Sequence, residues 1–138
     1  MNQSKLNQIK KILLLLMTVL GTAWAHNGFT GTGTTISYKT NPMPLKASKE
    51  GFVRFLFTRE DQSLIAATEC SCTILVYQGL PDPKVRPVAM GKMQMDKDSL
   101  FFKFTPSKAG MYTLVLDAKP IKHDDFQVLK IYLPLMVE

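Results

Sequence analysis

SLFFKFTPSKAGMYTLVLDA, residues 99–118, is the stretch that decides the fold class. Apolar side chains recur at every second position on both sides of a central turn: Leu100, Phe102 and Phe104, then Tyr112, Leu114 and Leu116. A period of two is the signature of a β-strand with one buried face. Between the two sets, Pro106 and Gly110 supply the backbone angles that a turn needs. The stretch therefore predicts two strands, each with one apolar face.

The same alternation extends outward to most of the chain from Thr34 onward. Strands are predicted at residues 34–39, 51–58, 64–68, 72–78, 87–95, 99–105, 111–118 and 126–137, with turn-forming residues between them. The longest one-sided stripe runs from Leu129 to Val137. Pro134 has no backbone N–H to donate to a neighbouring strand. This predicts that the last strand is an edge strand or has a bulge at Pro134. One-sided stripes need a second sheet to pack against, so the chain is predicted to be all-β.

The turn in the opening stretch resembles the E–F corner of immunoglobulin-like sandwiches. The resemblance rests on a Pro-led turn followed by Gly110-x-Tyr112-x-Leu114. It implies that the hydroxyl of Tyr112 bonds back to upstream backbone. It also implies an immunoglobulin-like antiparallel β-sandwich of about seven or eight strands. The motif says nothing about activity.

Residues 1–25 have the pattern of a cleavable signal peptide. Three lysines precede a run of nine apolar or small residues at 12–20, and Ala23-Trp24-Ala25 ends the segment. Charge, apolar run and A-x-A in this order are typical of secretion. Nine residues are too few for a transmembrane anchor, which takes about 20. We expect a periplasmic or secreted protein with no membrane span after cleavage and a single sandwich domain at 26–138.

Composition narrows the classes of partner. Three of the 17 basic residues belong to the signal segment, which leaves 14 against 11 acidic residues and a net charge of +3. A mildly basic domain of this kind gives no reason to expect nucleic acid binding. Lys5, Lys10 and Lys11, which form the densest basic run, leave with the signal peptide.

Two histidines are candidate metal ligands. Cleavage after Ala25 would place His26 at the new amino terminus, where its amine and ring nitrogens can chelate Cu(II) together. The alternative is a solvated terminal histidine. His123 is followed by Asp124 and Asp125, an arrangement that suits a ligand with carboxylates beside it. An exposed loop histidine explains it equally well.

Sulfur-containing residues form two further candidates. Met90, Met93 and Met95 lie within six residues, and thioethers suit Cu(I), although methionine more often fills gaps in a core. Cys70 and Cys72 are separated by one residue. In a regular strand such positions are about 6.5 Å apart, so the pair is either a disulfide at a bend or two thiols presented together to a soft metal or a redox partner.

Taken together, these features resemble the CopC-type periplasmic copper carriers. Members of that family hold Cu(II) with an N-terminal histidine and a late Asp-x-His, and Cu(I) with a methionine-rich stretch. The resemblance implies copper as the cofactor, with ligands among His26, His123, Met90, Met93 and Met95. This sequence departs from the family because its acidic residues follow the late histidine, the expected glycine is missing and a Cys-x-Cys pair is added. The departures leave open a thiol-based site at Cys70 and Cys72.

Two functions follow as hypotheses. The first is an exported copper-binding carrier or chaperone, with a metal ion as its ligand. The second is a metal-free binding or assembly module of the cell envelope, with a protein partner at the apolar final strand. An enzyme is not expected, because no nucleophile–base pair and no catalytic motif can be named in the sequence.

Overall fold

The computed structural model describes residues 27–31, 33–97 and 99–138. The predicted signal peptide and His26 lie outside the described residues. In the described part of the chain, nine strands and one short 3-10 helix follow one another in this order: β1 Asn27–Gly31, β2 Thr34–Asn41, β3 Gly51–Arg59, the 3-10 helix Ala67–Glu69, β4 Cys70–Gln78, β5 Ala89–Lys92, β6 Gln94–Asp96, β7 Ser99–Phe104, β8 Gly110–Pro120 and β9 Leu129–Val137. Among these residues no helix has the length and apolar character needed to cross a membrane.

The strands form two antiparallel sheets. One has five strands in the order β1-β2-β3-β7-β6, and the other has four in the order β5-β4-β8-β9. Immunoglobulin folds have an ABED sheet facing a CFG sheet, and larger versions add C′ beside C. Strands β2-β3-β7-β6 follow the first order and β5-β4-β8-β9 follow the second. The predicted immunoglobulin-like antiparallel sandwich is therefore confirmed.

The core consists of side chains that alternate along the longer strands and meet between the sheets. The inner positions of β3, β7, β8 and β9 match the stripes seen in the sequence, including Phe55, Phe102, Leu114 and Leu133. Stacked and tilted rings join neighbouring inner positions, as between Phe104 and Tyr112, whose ring centroids are 6.2 Å apart. Such aromatic contacts add to the burial of apolar area, which dominates the stability of a sandwich.

The corner tyrosine behaves as the sequence predicts. The Tyr112 hydroxyl donates to the carbonyl oxygen of Lys108 at 2.9 Å and accepts from the Lys108 N–H at 3.3 Å. Its ring is almost completely buried. The hydroxyl thus satisfies two backbone groups of the turn while the ring fills the core.

The predicted strand 87–95 is wrong, because the chain changes sheets inside it. Strand β5 pairs with β4, whereas β6 pairs with β7 in the opposite sheet. The chain crosses between them at Met93, whose side chain is 9% exposed. Gly91 lies just before the crossing, and a Cβ atom there would approach the Phe102 ring to 3.0 Å. Close contact between the sheets at this point therefore favours glycine and ends β5 early.

Two other boundaries differ from the prediction. Residues 64–68 do not form a strand: Leu64 makes an isolated bridge to Thr58, and the chain then enters the 3-10 helix. The Glu69 carboxylate accepts the Ala66 N–H at 2.8 Å and so stabilises the helical turn that propensity alone does not reveal. Strand β1, which pairs with β2, was not predicted because its sequence NGFTG lacks an apolar alternation.

Strand β9 is an edge strand, as Pro134 predicted. Its register against β8 runs unbroken from Leu129 opposite Ala118 to Val137 opposite Gly110. The alternative of a bulge at Pro134 is therefore wrong. Beyond Val137 the edge is closed by the backbone of residues 45–47, where the Glu138 N–H donates to the Leu45 carbonyl at 2.9 Å.

We expect Tyr112→Phe to lower the free energy of unfolding by about 1 kcal/mol, because the ring remains packed but the N–H and carbonyl of Lys108, whose bonds to the hydroxyl are partly buried, lose their partner. Urea denaturation measures the change. Tyr132→Phe is the matched control: this hydroxyl lies on the exposed side of β9, and its removal should change stability by less than about 0.5 kcal/mol. Equal effects of the two variants would contradict the corner assignment.

Candidate functional site

The predicted metal ligands lie in several places. His123 is on the loop between β8 and β9, with its Nδ1 2.7 Å from Asp124 Oδ2 and both side chains exposed. The carboxylate neighbour expected from the sequence is therefore present. His123 lines an open cleft of about 950 Å³ between its loop and the end of β3. His26 lies outside the described residues, so the predicted histidine pair stays a prediction.

Arg59 organises this cleft. Its Nε and Nη2 donate to the two oxygens of Asp125 at 3.1 and 2.8 Å, and Nη2 also reaches Glu69 Oε1 at 3.0 Å. A further bond from Nη1 to the Leu64 carbonyl measures 2.9 Å. The hydrogen bond to Asp125 is the main cause that raises the pKa of Arg59 above its ordinary value, against the opposing effect of burial. With its donors directed at protein groups, this guanidinium holds two loops together.

The three methionines do not share one environment. Met90 lies in β5 opposite Leu75, on the outer side of the four-stranded sheet. Met93 is buried at the crossing between the sheets, and Met95 lies in the edge strand β6 with its side chain partly exposed. A methionine-only site that uses Met90 together with Met93 would need side chains from opposite sides of one sheet. Met93 and Met95, which would share one side of a regular strand, are separated because the chain changes sheets between β5 and β6.

The two cysteines form a disulfide. Cys70 and Cys72 are bonded at the start of β4, with their Cα atoms 5.3 Å apart. Their side chains point to the inner side of the sheet and are 7% and 6% exposed. The structure thus shows a disulfide, which lies in a paired strand and not at the bend expected from the sequence.

Three of the predicted sulfur donors meet at one cavity. Cys70, Cys72 and Met93 all line a space of about 330 Å³ at the end of the sandwich where β4 begins; we call this space the sulfur cavity. The Met93 N–H donates to the Cys72 carbonyl at 3.4 Å, so the crossing is attached directly to the disulfide strand. The remaining lining comes from Ala67, Ser71, Lys92, Leu100 and Ile121.

Nitrogen and oxygen ligands do not add to this set. In the residues that the structure describes, no group of three or more His, Cys, Asp or Glu side chains is placed to hold a metal ion. His123 lines the larger cleft and not the sulfur cavity. Within the described residues, the candidate ligands therefore reduce to one cluster of sulfur atoms and separate single side chains.

A second feature was not anticipated from the sequence: the outer side of the four-stranded sheet is apolar. One row across the four strands consists of Met90, Leu75, Val115 and Tyr132, which are register partners in turn. The next rows add Tyr77, Thr113 and Pro134, then Met111 and Met136. We call these nine residues the outer apolar face.

The outer apolar face is exposed at its margins and closed at its centre. Four side chains remain largely open to solvent: Met90 (67%), Tyr132 (55%), Met136 (54%) and Met111 (48%). Val115 lies on the same side but is buried by its neighbours. The signal was present in the sequence, since β4 reads Ile74-Leu75-Val76-Tyr77 and β9 has Tyr132 and Met136 at its outward positions. An antiparallel sheet with one solvated side usually alternates apolar and polar residues, and the apolar outward positions of these strands depart from that pattern.

Comparison with known proteins adds a distant likeness in fold. No protein-family profile matches the sequence, and no curated protein matches it. Among solved structures, the crystal structure of the Lin-41 filamin domain is similar, at 12% sequence identity over 81% of this chain and 98% of that chain, with a TM-score of 0.48. At this distance the likeness carries no argument about function, and the fold class rests on the strand order given above.

We expect Arg59→Ala to lower the free energy of unfolding by about 2 kcal/mol, because it leaves the half-buried Asp125 carboxylate without its bidentate partner. Arg59→Lys should recover part of that loss, since it keeps the charge but not the fork. Lys103→Ala is the control. Both side chains of the Lys103–Glu50 ion pair are exposed, so the pair should contribute less than about 0.5 kcal/mol to the free energy of unfolding. Thermal or urea unfolding of the three variants gives the comparison.

Proposed function

We propose that the protein is an exported binding or assembly module of the cell envelope, which docks a protein partner on the outer apolar face. The observation that carries the proposal is the row Met90, Leu75, Val115 and Tyr132, which crosses every strand of one sheet. Export is taken from the signal pattern at residues 1–25.

The size and composition of the face support a protein ligand. Its four most exposed side chains alone present an area on the order of 400 Å², which is comparable with the largest apolar patch on a typical monomer, a patch that is often functional. Methionine and tyrosine are enriched in the cores of protein interfaces, where their large side chains pack well against a partner. A flat sheet surface suits another protein surface better than a small molecule, which needs a concave pocket.

Charged residues border the face on one side. The next row, toward the end where β4 begins, contains three charged residues. In register order across the sheet it reads Lys92, Thr73, Asp117 and Lys130. Interfaces commonly have a polar rim around an apolar centre. Such a rim excludes water from the centre while it selects partners of matching charge.

The open part of β9 lies directly beside this face. Residues 130–133 have no strand on their outer edge among the described residues, because the pairing with Leu45 occurs at Val137. Lys130 and Pro134 flank this segment, and both residue types discourage indiscriminate pairing at an edge. A partner strand at this edge would extend the sheet and place alternate side chains next to Tyr132.

The copper-carrier hypothesis remains a prediction beside this proposal. Its Cu(II) part depends on an amino-terminal His26, which lies outside the described residues. Equilibrium dialysis of a correctly cleaved sample tests it, and an extension left before His26 would remove the chelating amine. Retention of stoichiometric Cu(II) would support the carrier, whereas partner binding that is indifferent to chelators would support the docking module.

The docking proposal predicts site-specific crosslinking in the cells that export the protein. A photo-crosslinking phenylalanine analogue at Tyr132 should give a defined adduct, because this side chain belongs to the outer apolar face and lies on its edge strand β9. The same analogue at Leu56, which is exposed on the five-stranded sheet, should give none. Adduct mass distinguishes a different protein from a second copy of this chain. Adducts of equal yield at both positions, or at neither, would contradict the proposal, and so would loss of the Tyr132 adduct on addition of a chelator.

A further inference from the structure

The sulfur cavity combines three soft donors in a place where the sandwich is otherwise well packed. Cys70 and Cys72 come from the start of β4, and Met93 comes from the crossing between β5 and β6. The two cysteines and Met93 are themselves buried, and a space of about 330 Å³ opens beside them. None of the residues that line the cavity belongs to the outer apolar face, so the two sites are separate.

The disulfide contributes little as a crosslink. It joins residues two apart in sequence, and the stabilisation expected from closing a loop grows with loop length. Both cysteines also lie inside an unbroken ladder, with Cys70 opposite Pro120 and Cys72 opposite Ala118. Because β8 already holds this part of β4 in place, the strand is expected to stay in the sheet when the disulfide is reduced.

We propose that reduction of the Cys70–Cys72 disulfide creates a Cu(I) site from the two thiolates and the Met93 thioether. Three sulfur donors suit this soft monovalent ion. A structural zinc site has four ligands from cysteine, histidine or carboxylate side chains. The cavity lining includes two cysteines but no histidine, aspartate or glutamate, so it fits zinc less well. The site uses different residues from those of the Cu(II) hypothesis, and it does not depend on the docking proposal.

The chemistry balances with an external dithiol as the reductant. One thiolate of the dithiol attacks a cysteine sulfur, the Cys70–Cys72 bond breaks, and a mixed disulfide forms. The second thiol of the reductant then attacks the mixed disulfide, which leaves two cysteine thiols and one oxidised dithiol. Binding of Cu(I) releases the two thiol protons, since thiolates are the ligands.

The surroundings fit the charge of the product. Two thiolates and one monovalent cation carry a net charge of −1, and Lys92 is among the residues that line the cavity. A nearby cation favours the thiolate form of cysteine. Leu100 and Ile121 supply apolar walls, and an apolar shell limits the access of water to a metal site.

The test measures Cu(I) binding by the exported chain as the cell processes it. The protein is reduced with dithiothreitol, desalted without oxygen and titrated with Cu(I) against a chromophoric Cu(I) chelator. We expect one equivalent bound by the reduced protein and at least about tenfold weaker binding by the oxidised protein. Met93→Leu should weaken binding by about tenfold, and the double change Cys70→Ser, Cys72→Ser should abolish it.

Met90→Leu and Met95→Leu are the matched controls, because they remove the same donor group outside the sulfur cavity. Each should leave the affinity for Cu(I) within about twofold of the original. The proposal is overturned if the reduced and oxidised proteins bind equally, or if Met93→Leu behaves like the two controls. Circular dichroism accompanies the titration, and loss of β-sheet signal on reduction alone would also overturn it, because a preserved sheet is part of the claim.

Discussion

Packing of the two sheets against each other is the constraint on which every other feature depends. Inner side chains such as Phe55 and Leu114 alternate along their strands and are buried together, and this burial supplies most of the stabilising free energy. To close the sandwich, the chain must leave the four-stranded sheet and join the five-stranded one. It does so at Met93, between two short strands. That crossing brings a thioether to the cavity beside the disulfide.

The four-stranded sheet has different chemistry on its two sides. Its inner side contributes to the core and, at one end, to the sulfur cavity. Its outer side presents methionine and tyrosine side chains to solvent. Strand β4 shows this most clearly, because Cys72 and Ile74 point inward while Leu75 and Tyr77 point outward. The proposed docking site and the proposed Cu(I) site therefore use different residues of this sheet.

The strands and the corner were predicted correctly where one local sequence pattern alone determines the structure. The alternation of Leu100, Phe102 and Phe104, and the corner at Tyr112, were read correctly because a period of two and a specific turn each determine backbone and burial together. The prediction failed for residues 87–95, because no local pattern indicates a change of sheet. It also failed at residues 64–68, because the turn there depends on Glu69 accepting hydrogen bonds from the Ala66 N–H and from Arg59, which strand propensity does not indicate.

The candidate site was predictable only in part, for a related reason. Soft donor chemistry singled out Cys70, Cys72 and Met93, but their proximity depends on the crossing and not on sequence spacing. Met90 was grouped with Met93 because the two lie within six residues of sequence, although side chains three residues apart point to opposite sides of a strand. The outer apolar face was missed because attention to inner stripes treated Tyr132 and Met136 as ordinary solvent-facing positions.

The central claim is that the crossing places the Met93 side chain inside the sandwich beside the disulfide strand. Nuclear Overhauser effects from the Met93 methyl group measure this directly in solution. The account predicts cross-peaks from this methyl group to side chains of the sulfur cavity, Leu100 and Cys72 among them, and a chemical shift displaced from that of a solvated methionine. A Met93 methyl group with a solvated shift and no such cross-peaks would contradict it.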